Sequence, residues 1–264
     1  MKTFDDLKET MEDNDPRDQY DILKEFFSPD NEKEYFFPKE MDKKQREAVH
    51  LLFCKNGELM DRVYDALDLD FYCREAHLIR VCLLPDDDLY RNLKSYLSKE
   101  ELYQGLQGYQ KEEWISSLDL YRDYLIDIHN LSFALAYTGK ICEIKGTMEK
   151  EDVDHYSFLY FMLERGEEFY ELYSKGVFSD PVPYLMLILT LLKNAKDEEA
   201  QDVFLDLLHR YPYADYIDHL ADMPEGNEEY DRFYESLNFV LEMIMSVPDF
   251  ISWCHDHKEG YLLA

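Results

Sequence analysis

Apolar residues recur every three or four positions along most of the chain, a spacing that gathers them on one face of an α-helix. Leu89, Leu93 and Leu97 form one such series. With nine Gly and nine Pro among 264 residues, the chain lacks the frequent turn signals of a β-sandwich or β-barrel. The pattern therefore predicts an all-α protein in which helix follows helix through short links.

Interruptions of this pattern set the expected helix boundaries. Ser98 and Glu101 have the spacing of a capping box, which predicts that a new helix begins there. Residues 112–137 predict one long amphipathic helix that ends before Gly139. The other expected helices lie within residues 1–38, 39–56, 58–68, 71–84, 152–165, 167–174 and 213–223, and between the loop at 224–227 and about residue 247.

A helical hairpin over residues 180–212 is the clearest unit of the sequence. Asp180 with Pro181 is typical of a helix start, and His209 with Arg210 is typical of a helix end. A short polar turn separates the two helices. The sequence therefore predicts two helices that pack against each other.

This hairpin also matches the pattern of a known repeat. Ala200, Phe204 and Pro212 stand where a 34-residue unit places a small residue, an aromatic residue and a helix-ending proline, with Leu207 at another small site. Residues 181–214 thus resemble a tetratricopeptide repeat. The small residue lets two helices approach closely, and the aromatic ring fills the gap to the next hairpin. The resemblance implies a right-handed stack of antiparallel helical hairpins, a TPR-like α-solenoid, that binds a protein or peptide.

The resemblance covers less than half of the chain. Residues 66–70, followed by Glu75 and Ala76, are similar to the junction between two such repeats. Ile188 and Leu191 depart from the family, which prefers Gly and Tyr at these places. An irregular helical bundle that contains one repeat-like hairpin is therefore the alternative architecture.

The domain organisation is expected to be simple. No stretch rich in Gly, Ser or Pro divides the chain, and flexible linkers between domains have such a composition. We therefore expect residues 1–264 to form a single continuous all-helical domain. A boundary near residue 146 is the alternative.

The chain is strongly acidic, with 58 Asp and Glu against 28 Lys and Arg and a formal charge of −30. Such a field repels nucleic-acid phosphates and anionic lipid head groups, so we expect no direct binding to nucleic acid or to membranes. A basic protein segment is a natural partner. An acidic surface that serves only solubility is the alternative interpretation.

Cysteine usage and apolar run length indicate the compartment. The five cysteines are scattered and include no C-x-x-C pair, which argues against a disulfide framework and a structural zinc site. The first residues carry no apolar signal segment. The longest apolar run, residues 184–192, is shorter than the about 20 residues that span a bilayer. We therefore expect a cytoplasmic protein.

Two carboxylate-x-x-His pairs are candidate metal ligands, Glu47 with His50 and Asp152 with His155. Di-iron bundles use two such helical pairs, but the abundance of acidic residues favours chance spacing. Residues 86–88, three aspartates, lack the Gly and the terminal Glu of a calcium loop. They are interpreted as a helix start, where negative charge complements the helix dipole.

The segment 254–257, Cys-His-Asp-His, is dense in potential ligands, yet on a helix its two histidines would point in different directions. The sequence has no hydrolase, metalloprotease or nucleotide-binding motif. We therefore predict no catalytic, cofactor-binding or metal-binding residue, no cofactor and no enzyme activity.

Tyrosine is abundant, with 22 residues, and aromatic clusters fall within residues 156–161 and 169–173. Such rings either fill the core or line a groove that holds a peptide, and the core is favoured. The leading hypothesis is a non-catalytic helical-repeat scaffold that binds a protein or peptide partner. The alternatives are an acidic nucleic-acid mimic that occupies a basic binding protein, and an enzyme or metal protein with an unrecognised site.

Overall fold

The computed structural model describes residues 2–179 and 181–210, and the regular elements in these ranges are helices. This confirms the predicted all-α fold for the described residues. The chain divides into two compact units, Met1–Thr147 and Met148–Ala264. The single continuous domain, with its alternative boundary near residue 146, stays a prediction.

The first unit contains eight α-helices among its described residues. Their bounds are α1 Phe4–Glu12, α2 Gln19–Phe26, α3 Lys43–Leu52, α4 Leu59–Leu69, α5 Arg74–Leu83, α6 Asp86–Leu97, α7 Gly108–Asp127 and α8 Leu131–Lys145. Short 3-10 turns occupy Glu32–Glu34 and Glu100–Leu102. Lys2 forms an isolated bridge with Tyr35, which ties the start of the chain to the segment before α3.

Helix α5 lies at the centre of this unit, because it packs against α2, α3, α4 and α7. Ala76 and Ile79 are fully buried in the apolar core around it. A helix enclosed on so many sides offers few positions to water. Its polar side chains must therefore find hydrogen-bond partners inside the protein.

Arg62 of α4 joins the ends of two other helices. Its buried guanidinium donates through Nη1 to the backbone carbonyl oxygens of Phe27 at 3.3 Å, of Cys54 at 2.9 Å and of Leu52. Phe27 caps α2, and Leu52 is the last residue of α3. Carbonyl groups at a helix end have no partner within the helix, so this one charge satisfies several of them.

The described part of the second unit has four helices, α9 Lys150–Met162, α10 Gly166–Ser174, α11 Pro181–Lys193 and α12 Asp197–Arg210. Helix α11 packs against each of the other three, and its residues 183–191 are buried. The predicted hairpin is thus confirmed as α11–α12 as far as Arg210. The helices predicted over residues 213–223 and up to about 247 lie outside the described residues.

Two predicted boundaries in the first unit are wrong. Ser98 does not begin a helix: it caps the end of α6, and its hydroxyl donates to the carbonyl oxygen of Ser95 at 2.8 Å. The long helix over residues 112–137 is two helices, because the chain turns at His129, where φ is +57°. Gly139 lies inside α8. The packing of α7 against α8 outweighs the local pattern, since most helical stability comes from such contacts.

Candidate functional site

Three buried carboxyl groups meet in the first unit, and we call Asp70, Glu75 and Glu113 the carboxyl junction. Glu75 is in the first turn of α5, Glu113 is in the second turn of α7, and Asp70 directly follows α4. Each side chain is at most 1% exposed. Carboxyl groups are rarely buried without partners, so their surroundings decide their charge.

Neighbouring side chains hold two of these carboxyl groups. The Tyr35 hydroxyl donates to Glu75 Oε1 at 2.5 Å, and the Gln45 amide Nε2 donates to Glu113 Oε2 at 2.9 Å. The Arg74 guanidinium lies 3.5 Å from Glu75 Oε1 and is the one cation that pairs directly with the junction in the described residues. The junction therefore holds more carboxyl groups than its charge partners can balance.

Three polar atoms around the junction are buried and have no hydrogen-bond partner. They are Glu113 Oε1, Asp70 Oδ2 and the Tyr109 hydroxyl oxygen. An unsatisfied buried polar atom destabilises a protein by about 1–3 kcal/mol. Such atoms are uncommon in folded proteins.

The electrostatics of the junction keep Glu113 neutral. Burial, followed by repulsion from Glu75 and Asp70, raises the pKa of Glu113 to about 9, against the weaker opposing effects of Arg74 and Gln45. Burial also raises the pKa of Asp70. At neutral pH, Glu113 is therefore a carboxylic acid that carries its proton.

A second polar group on α5 is the imidazole of His77, which is fully buried among aromatic rings. Its Nε2 lies 2.6 Å from the carbonyl oxygen of Phe71, and its Nδ1 contacts the Tyr121 hydroxyl. Because a carbonyl can only accept, Nε2 carries the proton and the tyrosine donates to Nδ1. Burial, and then the nearby charge of Arg80, lowers the pKa of His77 to about 3.

An aromatic cluster surrounds this imidazole and fills the space between α5, α6 and α7. The Trp114 ring centroid lies 5.4 Å from that of His77, and Tyr121 lies at the same distance. Arg80 donates to the Tyr96 hydroxyl within this cluster. Such edge-on and tilted pairs stabilise a core beyond the burial of their area, so we interpret the His77 cluster as structural.

The side chains of the two candidate carboxylate-x-x-His pairs make local polar contacts. Glu47 lies 3.4 Å from Lys43, and His50 Nδ1 lies 2.5 Å from Glu32. Asp152 is buried at the start of α9, and its Oδ2 accepts from the backbone N–H of Glu149. Within residues 2–179 and 181–210, no three His, Cys, Asp or Glu side chains are arranged to hold a metal ion.

Two other segments, residues 86–88 and 254–257, were candidate ligand sites in the sequence. Residues 86–88 form the first turn of α6, so their interpretation as a helix start is confirmed. The segment 254–257 lies outside the described residues. Across the described ranges, each helix is too short or too polar to cross a membrane.

Glu75, His77 and Glu113 were not predicted from the sequence as site residues. The signal that could have found them is an apolar neighbour in the sequence. Glu113, for example, directly precedes Trp114, which belongs to the apolar stripe of α7. A charged residue beside such a stripe ordinarily faces water. Glu113 faces inward because α5 packs against α7.

A turn of the same kind joins the two helices in each of three pairs, α7–α8, α9–α10 and α11–α12. Each turn has one non-glycine residue with a left-handed backbone, His129, Glu164 or Ala195, with φ between +54° and +57°. The next backbone N–H donates to the carbonyl five residues earlier, at 2.7, 2.9 and 2.9 Å. This is the hydrogen bond of a Schellman motif. The step from residue 129 to 164 is 35 residues, and that from 164 to 195 is 31.

In the second unit, the two hairpin turns lie side by side. Lys193 Nζ lies 3.3 Å from Glu164 Oε1, and Lys196 Nζ lies 3.4 Å from Glu167 Oε1. A Cβ atom built on Gly166 would come within 3.0 Å of Asn194 Nδ2. The two turns therefore lie next to each other, at the same end of these helices.

The tyrosine and phenylalanine clusters divide between core and surface. Phe161 and Phe169 are buried in the apolar core of the second unit. Tyr170 and Tyr173 are half-buried on α10, and the Tyr173 hydroxyl donates to Asp206 at 3.1 Å. Aromatic rings with one polar tip at the surface are typical of protein-binding faces.

The outer face of α4 combines acidic groups with an exposed aromatic ring. Asp61, Asp65 and Asp68 are exposed on this helix, and Tyr64 between them is 49% exposed. The spacing of three and four residues places these side chains on one face. We call it the α4 acidic face.

Comparisons with known proteins give no identification. No family model, no curated protein and no solved structure matches the chain. Function is therefore inferred from the geometry of the described residues.

Proposed function

We propose that this protein is a non-catalytic, cytoplasmic helical-repeat scaffold that binds a protein or peptide partner. The observation that carries the proposal is the same hairpin turn at His129, Glu164 and Ala195, at steps of 35 and 31 residues. Repetition of one helical hairpin at such a step is typical of solenoid proteins, whose extended surfaces bind other proteins.

Packing in the second unit supports tetratricopeptide-like stacking. Ala200, Phe204 and Leu207 of α12, which carry the resemblance, are buried. Helix α9 packs against α10 and α11, and α11 packs against α10 and α12. In a stack of hairpins, the first helix of each hairpin contacts the first helix of the next, as α9 and α11 do.

The first unit contains related features. Ala66 and Ala76, from the stretch similar to a repeat junction, are both fully buried near the α4–α5 connection. Helix α3 packs against α4 and α5, and α5 packs against α7. The hairpin connections differ, however, since Gly57 with φ +82° lies between α3 and α4. We therefore propose that its repeats are degenerate.

The α4 acidic face is the surface that we assign to the partner. Its carboxylates favour a segment rich in Lys and Arg, and Tyr64 offers a ring on which a cationic side chain can stack. An exposed tyrosine contributes contact area at low conformational cost. The partner is thus expected to be a basic protein segment.

The test is capture of partners from native cytoplasm on the immobilised full chain at low and at high salt. The scaffold proposal predicts a specific protein whose binding weakens at high salt, because charges contribute to it, but persists through the Tyr64 contact and is lost from a Tyr64→Ala variant. Tyr20→Ala, at another partly exposed tyrosine, is the matched control and should retain it. Binding that disappears at high salt would favour the nucleic-acid mimic instead. Absence of any partner at either salt contradicts the scaffold proposal.

A further inference from the structure

The carboxyl junction lies where three helices of the first unit begin. Gln45 is the third residue of α3, Glu75 the second of α5, and Glu113 the sixth of α7. Helix N-termini favour nearby negative charge. That preference applies to Glu75 in the first turn of α5, whereas Asp70 follows the C-terminal end of α4 and Glu113 is in the second turn of α7.

The groups around Glu113 do not supply enough positive charge for three carboxylates. The titratable and charged groups that act on the junction are Tyr35 before α3, Asp42 and Lys44 at the start of α3, Cys73 before α5, Arg74 of α5 and Tyr109 of α7. Arg74 is shared, because its guanidinium also lies 4.3 Å from the Phe4 ring centroid. A third ionised carboxyl would therefore be poorly compensated.

The shortage of hydrogen-bond donors around Glu113 also favours its neutral form. Glu113 Oε2 accepts one hydrogen bond, from Gln45, whereas Oε1 is buried without a partner. A buried carboxylate needs several donors to balance its loss of hydration, and this one has a single donor. The neutral acid is the form that the site can accommodate.

Gln45 connects Glu113 to the start of α3. Its Oε1 accepts from the backbone N–H of Asp42 at 2.7 Å, and its own backbone N–H donates to Asp42 Oδ1 at 2.9 Å. The same amide thus completes the capping box of α3 and donates to Glu113 of α7. A change at Glu113 therefore reaches the N-terminal end of α3 through one side chain.

We propose that Glu113 is a proton-dependent latch that, while it is a neutral acid, joins α7 to the N-terminal end of α3 through Gln45, and that it releases this end of α3 when it loses its proton. The Gln45 bond by itself favours the ionised form, but burial and repulsion from Glu75 and Asp70 outweigh it, so in the released form the carboxylate reaches water and this bond is given up. This device is independent of the partner-binding role proposed above. It makes the cohesion of the first unit respond to alkaline conditions.

The sign follows from the pKa of Glu113, which rises from 4.5 to about 9 in the closed form. The stabilisation by the latch is fully present below 4.5 and is lost as pH rises towards about 9. Between these values the released form gains a proton-linked advantage of about tenfold per pH unit. Above about 9 both forms are ionised and the dependence levels off.

The experiment is amide hydrogen exchange of α3 and α7 in the full chain from about pH 6 to about pH 10, corrected for the intrinsic exchange rate. Protection in the wild-type protein should fall about tenfold per pH unit and level off above about 9. Glu113→Gln, which keeps the shape and the Gln45 bond, should remove this dependence. Glu112→Gln changes the exposed preceding residue and should retain it.

Two results would overturn the latch. One is a Glu113→Gln variant whose protection falls with pH as steeply as that of the wild type. The other needs no variant and stays decisive if Glu113→Gln fails to fold. The infrared spectrum of the wild type at neutral pH should contain a protonated carboxylic-acid band that disappears above about pH 9, and its absence at neutral pH excludes a neutral Glu113.

Discussion

The buried imidazole of His77 should make the first unit sensitive to acid. In the folded state its Nδ1 accepts from Tyr121, and its Nε2 donates to the Phe71 carbonyl oxygen. Protonation would place a second N–H against the tyrosine hydroxyl and a charge near Arg80. Burial is the main cause of its lowered pKa, from 6.5 to about 3, and the charge of Arg80 is the second.

The direction and size of the effect follow from proton linkage. The pKa is lower in the folded state, so below pH 6.5 the unfolded chain binds a proton that the folded chain does not. The free energy of unfolding should therefore fall by about 1.4 kcal/mol for each pH unit below that value. Over two pH units the loss attributable to His77 is about 3 kcal/mol.

Urea unfolding of the wild type and of His77→Gln at about pH 7 and about pH 4.5 measures this loss. Taking the difference between the two proteins cancels the carboxylate titrations that both share. We expect the advantage of the wild type to shrink by about 3 kcal/mol between these pH values. Tyr121→Phe separates packing from titration, because it destabilises the protein but retains the imidazole and its pH dependence. A wild-type advantage that stays constant with pH would contradict a neutral His77 in the folded protein.

Three further predictions concern stability. Arg62→Met leaves three backbone carbonyls without their donor and should lower the free energy of unfolding by about 3 kcal/mol in urea titrations; an unchanged midpoint would contradict the capping role. Gly166→Val places a Cβ atom 3.0 Å from Asn194 Nδ2. This should lower the melting temperature by an amount equivalent to about 1–3 kcal/mol. An unchanged melting temperature would contradict a close contact between the two hairpins at this position. Ala195→Gly should raise the free energy of unfolding by about 0.5–1 kcal/mol, because φ of +54° suits glycine better than alanine, and calorimetry that shows a loss would contradict it.

Helix-forming segments could be predicted where local signals agree. The α11–α12 hairpin follows from Pro181, the charges at its helix ends and the apolar run between them, and the structure has both helices. The turn after α7 could not be predicted, because His129 adopts a left-handed backbone that sequence patterns assign to Gly or Asn. That strained conformation is maintained by the packing of α7 against α8.

Some features of the candidate surfaces and site follow from the sequence, and others do not. The acidic composition is a property of the sequence, and so is the Asp-rich outer face of α4, because helical periodicity alone brings Asp61, Tyr64 and Asp65 together. The burial of Glu113 beside Glu75 could not be predicted from the sequence, because the charged residues of an amphipathic helix ordinarily face water.

The all-α class, most helix positions and the acidic composition therefore follow from local sequence, because they depend on residues a few positions apart. The enclosure of particular polar side chains, and the protonation state that they adopt, follows from the packing of distant segments, because desolvation depends on residues far apart in the chain. Gln45 and Glu113 are 68 positions apart, yet a single hydrogen bond joins them.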